Sequence, residues 1–121
     1  MLMVYQIGIA LFFHLIDFIT GFIKAVKLKQ VSSSKMRDGM FKKVGFVLCY
    51  IIAVVIDQYG YIVGFNIDFS ILPVIVAYAI VTELISILEN ISKINPDLKI
   101  TKLWEIFQIK GEPKNDDETK Q

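Results

Sequence analysis

Several acidic residues and the single histidine of this 121-residue chain lie inside long apolar stretches, and that position limits the chemistry they can do. His14 and Asp17 lie in the first stretch, Asp57 in the second and Glu83 in the third. At the centre of a membrane-spanning helix an ionised Asp costs about 3 kcal/mol on insertion scales, so acids retained there usually have a function. Held in hydrogen bonds, such groups join helices, whereas hydrated groups line a path for water and ions. The residue types therefore predict polar contacts within a membrane.

The polar residues recur at helical spacing along one face of each stretch. Two interpretations stay open. The faces are helix interfaces that hold protonated acids in hydrogen bonds, or they line the wet lumen of an oligomer, because three helices of one chain cannot enclose a pore. The predicted lumen or oligomer contacts are His14, Asp17, Thr20, Gly21, Asp57, Glu83, Ser86, Glu89 and Asn90. Gly60 and Gly64 form a G-x-x-x-G that predicts close helix packing.

The composition predicts that lipid surrounds most of the chain. Hydrophobic residues make up 55% of the sequence and the mean hydropathy is +0.56, more apolar surface than a soluble domain of this size can bury. Cys49 is the only cysteine, which excludes an intrachain disulfide, and one cysteine with one histidine supplies no recognised zinc spacing. We expect no metal, no cofactor, no catalytic residue and no nucleic-acid partner.

The apolar blocks are long enough for helices that cross about 30 Å of hydrocarbon, which takes about 20 residues. We predict an all-α integral membrane protein with three transmembrane helices and a C-terminal amphipathic interfacial helix. Ser70 is expected to cap the third helix. The predicted segments are transmembrane helix 1 at 1–23, a basic cytoplasmic connection with a short amphipathic helix at 24–43, transmembrane helix 2 at 44–64, an outer turn at 65–70, transmembrane helix 3 at 71–94, an amphipathic surface helix at 95–110 and a disordered charged tail at 111–121.

Basic residues predict the orientation. All 13 Lys and Arg lie in the connection at 24–43 or at and beyond the end of the third helix, and the turn at 65–70 holds none. The positive-inside rule then places the N-terminus outside and the C-terminus in the cytoplasm. In the C-terminal segment apolar residues repeat at i, i+3, i+4 and i+7, which is typical of a helix on a membrane surface. The predicted membrane-surface anchors are Lys24, Lys42, Lys43, Trp104 and Phe107.

Two segments resemble signatures of the bacteriophage holin family, which also contains toxin-secretion holins. The first is DFITGFIKA from Asp17 to Ala25, similar to the family's DxxTG…KA segment, and the second is ELISILEN from Glu83 to Asn90, similar to its ExxSIxEN signature. Between them the serine run, a lysine pair and an intramembrane acid follow in the family's order, at Ser32 to Ser34, Lys42-Lys43 and Asp57. The resemblance extends roughly from Leu11 to Phe107.

The resemblance implies a protein that oligomerises in the bacterial cytoplasmic membrane and permeabilises it. A cell-wall hydrolase or a large toxin then leaves through the lesion. The implied partners are the lipid bilayer, further copies of the chain, the hydrolase or toxin, and an antiholin as a further candidate. No enzymatic chemistry is implied.

Three alternatives stay open. An antiholin, which delays hole formation, would share all of these features. A small membrane lipid kinase would need carboxylates at the cytoplasmic face, for which Glu89 and Asp97 are the candidates, and no phosphate-binding glycine loop is visible in the sequence. A proton-coupled transporter of the small multidrug type would be expected to have a fourth span and inverted halves.

Overall fold

The computed structural model describes residues 2–99, 101–102 and 105–106, and within these residues the regular structure is all helical. Helix α1 spans Leu2–Lys27, α2 spans Ser33–Tyr59 and α3 spans Ile71–Ile94, with a 3₁₀ turn at Gly60–Val63 between α2 and α3. Each of the three α-helices is long and apolar enough to cross a membrane. The predicted three-span, all-α architecture is confirmed. In the predicted surface helix at 95–110, residues 95–99 form a turn instead of a helix, residues 101–102 and 105–106 are helical, and the others lie outside the described residues, as does the whole tail at 111–121.

Helix α1 is an apolar run without proline, and it ends in a Schellman motif. Lys29 has a left-handed φ of 56°. The amide of Gln30 donates to the carbonyl oxygen of Ala25 at 2.8 Å, which satisfies one of the last carbonyl groups of the helix. The motif reverses the chain, so that α2 runs back along α1.

Helix α2 is continuous from Ser33, whereas the sequence predicted a separate short helix before a span that begins at residue 44. Ser32 caps it, because its side chain accepts a hydrogen bond from the amide of Lys35 at 3.3 Å. Gly39 lies within the helix and does not end it, since one helical glycine costs only about 1 kcal/mol. The predicted amphipathic helix is therefore the first part of α2.

The end of α2 also differs from the prediction. The α-helix stops at Tyr59, and the G-x-x-x-G lies in the 3₁₀ turn, with Gly64 at a left-handed φ of 88°. A Cβ added at Gly60 would lie 3.2 Å from the Cβ of Phe65 in the same turn. These glycines therefore serve the tight turn, and they do not form an α-helical packing face between helices.

Asp57, and not Ser70, caps the start of α3. Its two carboxylate oxygens accept hydrogen bonds from the amides of Ile71 and Leu72 at 2.8 and 2.9 Å, whereas Ser70 makes no capping hydrogen bond through its side chain. A carboxylate at a helix N-terminus also interacts favourably with the helix dipole. Asp57 thus fastens the end of α2 to the beginning of α3.

Helices α1 and α3 run parallel, and α2 is antiparallel to both. At one end the Gln58 amide donates to the sulfur of Met3. At the other end Lys27 Nζ donates to the carbonyl oxygens of Lys93 and Ile94. We call the first the turn end and the second the basic end. Of the three helices, α3 is the most buried.

An apolar core fills the half of the bundle nearer the turn end. It consists of Ala10, Tyr50, Ala53, Leu72, Val76 and Ala79. The alanines allow close approach of the helices, as is common where membrane helices pack. Large apolar side chains on the outer faces remain exposed, among them Phe12 and Val55, as expected for helices that face lipid.

Candidate functional site

A group of charged and polar side chains lies between the three helices in the half nearer the basic end, next to the apolar core. We call it the polar cluster, and it consists of His14 and Asp17 from α1, Lys43 from α2, and Glu83 and Asn90 from α3. His14, Glu83 and Asn90 are at most 5% exposed. The spacing explains the position, because His14 and Asp17 follow the core residue Ala10 at i+4 and i+7, and Glu83 follows Ala79 at i+4.

Lys43 links the two acids of the polar cluster. Its Nζ donates to Asp17 Oδ2 at 2.7 Å and to Glu83 Oε2 at 3.4 Å, and one ammonium group has enough donors for both carboxylates. The side chains of Lys43 and Asp17 are 16% and 14% exposed, and that of Glu83 is 3% exposed. Because an unpaired ion costs several kcal/mol to remove from water, these contacts with Lys43 offset part of the cost of burying ionised groups. One lysine of α2 therefore joins α2 to α1 and α3.

His14 lies where the polar cluster meets the apolar core. Its Nε2 is 2.9 Å from the Tyr50 hydroxyl, within hydrogen-bond distance. Its Nδ1 lies 3.3 Å from Glu83 Oε1, but among the described residues no hydrogen bond with suitable geometry reaches this buried atom. The ring stacks against Phe46, with the centroids 5.4 Å apart. His14 is therefore held by one hydrogen bond and by aromatic packing.

Asn90 joins α3 to α1 on the side of the polar cluster nearer the basic end. Its Nδ2 donates to Thr20 Oγ1 at 3.1 Å and to Asp17 Oδ1 at 3.3 Å. The hydroxyl of Thr20 in turn donates to the carbonyl oxygen of Ile16. A Cβ added at Gly21 would lie 3.6 Å from Asn90 Nδ2, which is an ordinary van der Waals contact, so Gly21 lies directly against the amide. The two oxygens of Asp17 thus accept from different helices.

The structure separates the predicted contact residues into different regions. Five lie in or against the polar cluster: His14, Asp17, Thr20, Glu83 and Asn90. Gly21 and Ser86 line an adjoining cleft. Glu89 is exposed on α3, and Asp57 lies at the turn end as a helix cap. The acids of the membrane-spanning region therefore occupy chemically different sites.

The predicted surface anchors also lie in different environments. Lys42 is exposed and Lys24 is half-buried near the basic end. Lys43 corrects the prediction, because α2 begins ten residues before it and carries its side chain into the bundle. Trp104 and Phe107 lie outside the described residues.

A periodic signal was present for Lys43. Lys43, Tyr50 and Asp57 are spaced by seven residues, so they share one face of α2. Extending the face that carries Tyr50 and Asp57 by two turns toward the N-terminus of α2 reaches Lys43. Its pairing with both acids had no sequence signal, since it depends on how the three helices pack.

The acids of the polar cluster face the neighbouring helices of the chain. Among the described residues no group of three or more His, Cys, Asp and Glu side chains is arranged to hold a metal ion. The cluster can bind water or carry charge if its ion pairs open.

The model of the bacteriophage holin family matches residues 3–109, which is most of the chain. Comparisons with curated proteins and with solved structures gave no match.

Proposed function

This chain belongs to the bacteriophage holin family, and we propose that it acts as a holin in the bacterial cytoplasmic membrane. Copies of the chain would assemble and permeabilise the membrane, so that a cell-wall hydrolase or a large toxin leaves the cell. Membership of the family, together with the three apolar helices, makes it a holin-type, multi-pass membrane protein. Assembly and the released cargo belong to the proposal.

The observation that carries the proposal is a charged cluster buried in a unit too small to enclose a pore. Lys43, Asp17 and Glu83 are paired between the helices of one chain, so the outer surface presented to lipid is largely apolar. A lesion that passes a protein would need several chains, each of which supplies part of the wall. The exposed apolar faces of α1 and α2 are available for contacts between copies.

Opening would expose the polar cluster to water. Helix α1 packs more extensively on α3 than α2 packs on either helix, which supports a movement of α2 away from a lasting α1–α3 pair. Such a movement would separate Lys43 from both acids and leave all three charges in need of hydration. The same groups would then be paired in the dispersed chain and line the lumen in the oligomer.

The orientation proposed from the basic residues, with the N-terminus outside and the C-terminus in the cytoplasm, is supported by how the ends of the bundle differ. Lys27 and Lys93 meet at the basic end, whereas the segment at 60–70 at the turn end holds no Lys or Arg. The test uses Cys49→Ser as background with a new cysteine at Asn66 or at Lys99. A membrane-impermeant maleimide added to spheroplasts should label the first and spare the second.

The function is tested by inducible expression in a bacterial cell with a co-expressed cell-wall hydrolase. Growth should stop, the membrane potential should collapse and the hydrolase should reach the cell wall. Asp17→Leu and Glu83→Leu should shift the time of lysis or abolish it, because each removes a partner of Lys43. The matched control is Glu89→Leu, which removes an exposed acid from the same helix as Glu83 and should leave the timing close to that of the unmodified chain.

Continued growth with an intact potential, at membrane levels confirmed by immunoblotting, would contradict a holin and favour an antiholin. Equal timing in the Asp17, Glu83 and Glu89 variants would contradict the role of the polar cluster while leaving holin activity in place.

A further inference from the structure

A polar cleft lies at the basic end between the last turns of α1 and the first turns of α2. We call it the inner cleft; its volume is about 270 Å³. Lys24 and Lys35 line it, together with the polar side chains of Gln30 and Ser32, and Gly39 forms part of its wall. It adjoins the polar cluster, since Lys43 and Asp17 lie at its deeper side. The cleft therefore combines basic groups with hydrogen-bonding groups.

An apolar groove continues from the inner cleft along the surface of the bundle. It has a volume of about 510 Å³, and its lining includes Met40, Phe41 and Val44. Phe18 and Met36 line both cavities, so the two lie side by side on the bundle. Arg37 also lines the groove. A ligand that fills both would need a polar end and an apolar chain.

The depths of these residues match the layers of a bilayer. At 1.5 Å per residue, Lys24 and Arg37 lie about 33 Å from the turn ends of their helices, and Met40 and Val44 lie about 29 and 23 Å from it. The hydrocarbon core is about 30 Å thick. With the turn ends of the helices placed at the outer boundary of this core, the basic residues come to the level of the headgroups, and the groove comes beside the acyl chains of the leaflet at the basic end.

The charge of this region favours an anion. Among the described residues no carboxylate forms an ion pair with Lys24, Lys35 or Arg37, and the Asp17 carboxylate in the cleft is already bonded to Lys43. Basic groups at a membrane surface attract anionic lipids. A lipid is also the molecule that surrounds an outward-facing groove in a bilayer.

We propose that the inner cleft and the apolar groove together bind one anionic phospholipid from the leaflet at the basic end. Its phosphate lies near Lys24 and Lys35, and one acyl chain lies along Met40 and Val44. The bound lipid fills the space between α1 and α2 next to Lys43. The inference does not depend on holin activity, because lipid binding is measured on the purified chain.

The first experiment measures lipid binding to the full chain in detergent by native mass spectrometry, with phosphatidylglycerol and phosphatidylcholine of identical acyl chains. We expect phosphatidylglycerol to bind at least tenfold more tightly. The double variant Lys24→Gln with Lys35→Gln should lower that affinity by about fivefold for each charge removed. The matched control, Lys42→Gln with Lys99→Gln, removes the same charge from exposed positions outside both cavities and should keep at least half of the affinity.

The second experiment fills the inner cleft without changing charge. A Cβ at Gly39 or at Gly45 meets no atom within 4 Å, so both glycines of α2 accept a side chain. Only Gly39 lines the cleft. Gly39→Leu should lower the phosphatidylglycerol affinity about tenfold, and Gly45→Leu should leave it unchanged.

Several outcomes would overturn the inference. Equal binding of the two lipids, or equal losses in the two double variants, would show that no specific site exists. Full binding by Gly39→Leu would exclude the cleft. Displacement of the lipid by millimolar glycerol phosphate would indicate a site for free phosphate only, and a change of oligomeric state in Gly39→Leu with unchanged lipid binding would assign the groove to a second copy of the chain.

Discussion

The two halves of the bundle differ in the contacts that join their helices. In the half nearer the turn end, Ala53, Leu72 and Ala79 are completely buried and pack helix against helix. In the half nearer the basic end, Lys43 bridges Asp17 and Glu83. Apolar packing within a bilayer depends on fit between surfaces, since lipid is as apolar as leucine. The strength of an ion pair depends on the exclusion of water from the charged groups.

In the proposed opening, the two halves should respond differently to water. Water can hydrate the charged groups of the polar cluster in place of their ion pairs, whereas the apolar side chains of the core cannot form hydrogen bonds with water. The two hydrogen bonds that Asp57 accepts also hold α2 to α3 at the turn end. Separation of the helices should therefore begin at the basic end, with the turn end as the pivot.

The largest effect is expected for Lys43→Met. It leaves Asp17 and Glu83 without their cation, and breaking a buried pair by removing one partner costs about 3–5 kcal/mol. Thermal unfolding in detergent micelles should show this loss. Lys42→Met, at the exposed neighbouring position, should change stability little. Adding Asp17→Asn and Glu83→Gln to Lys43→Met should restore most of the stability, and failure to do so would contradict the charge explanation.

The next largest effect is expected in the apolar core. Ala79 is 0% exposed, and Ala79→Leu should force α3 away from its neighbours at a cost of about 1–3 kcal/mol. Ala77→Leu adds the same side chain at an exposed position of α3. Unfolding midpoints in the same detergent provide the measurement. Equal midpoints for the two variants would contradict close packing in the apolar core.

Removing the cap should have a smaller effect. Asp57→Ala leaves the amides of Ile71 and Leu72 without their acceptor, which should cost about 1 kcal/mol and speed hydrogen exchange at the first turn of α3. Ser70→Ala should change neither quantity, because Ser70 makes no capping bond through its side chain. A larger effect of Ser70→Ala than of Asp57→Ala would identify Ser70 as the cap.

The smallest effect is expected where the two halves meet. Tyr50→Phe removes the hydroxyl 2.9 Å from His14 Nε2, and a hydrogen bond between membrane helices contributes about 0.6 kcal/mol on average. Tyr78→Phe makes the same change at an exposed tyrosine. The difference between the two unfolding free energies measures the bond, and a difference of zero would make the contact one of packing alone.

Much of the architecture was predictable from local pattern. Block length and hydropathy predicted three spanning helices, and the spacing of His14 and Asp17, and of Glu83 and Asn90, placed each pair on one face. The position of Lys43 was not predicted, because its seven-residue spacing from Tyr50 and Asp57 places it on one face of α2 with them but does not decide whether its side chain extends to the surface or into the bundle. The cap was assigned wrongly to Ser70, and Asp57 was not recognised as the cap, because a cap supplied by another helix leaves no signal in the residues at the helix start.

The sequence by itself determined which segments span the membrane, which faces carry polar residues and where the basic residues lie, because each of these depends on the order of residues along one helix. The tertiary structure alone decided which charges meet. Lys43 is 26 residues from Asp17 and 40 residues from Glu83 along the chain. Only the packing of α2 against α1 and α3 brings them within a few ångströms.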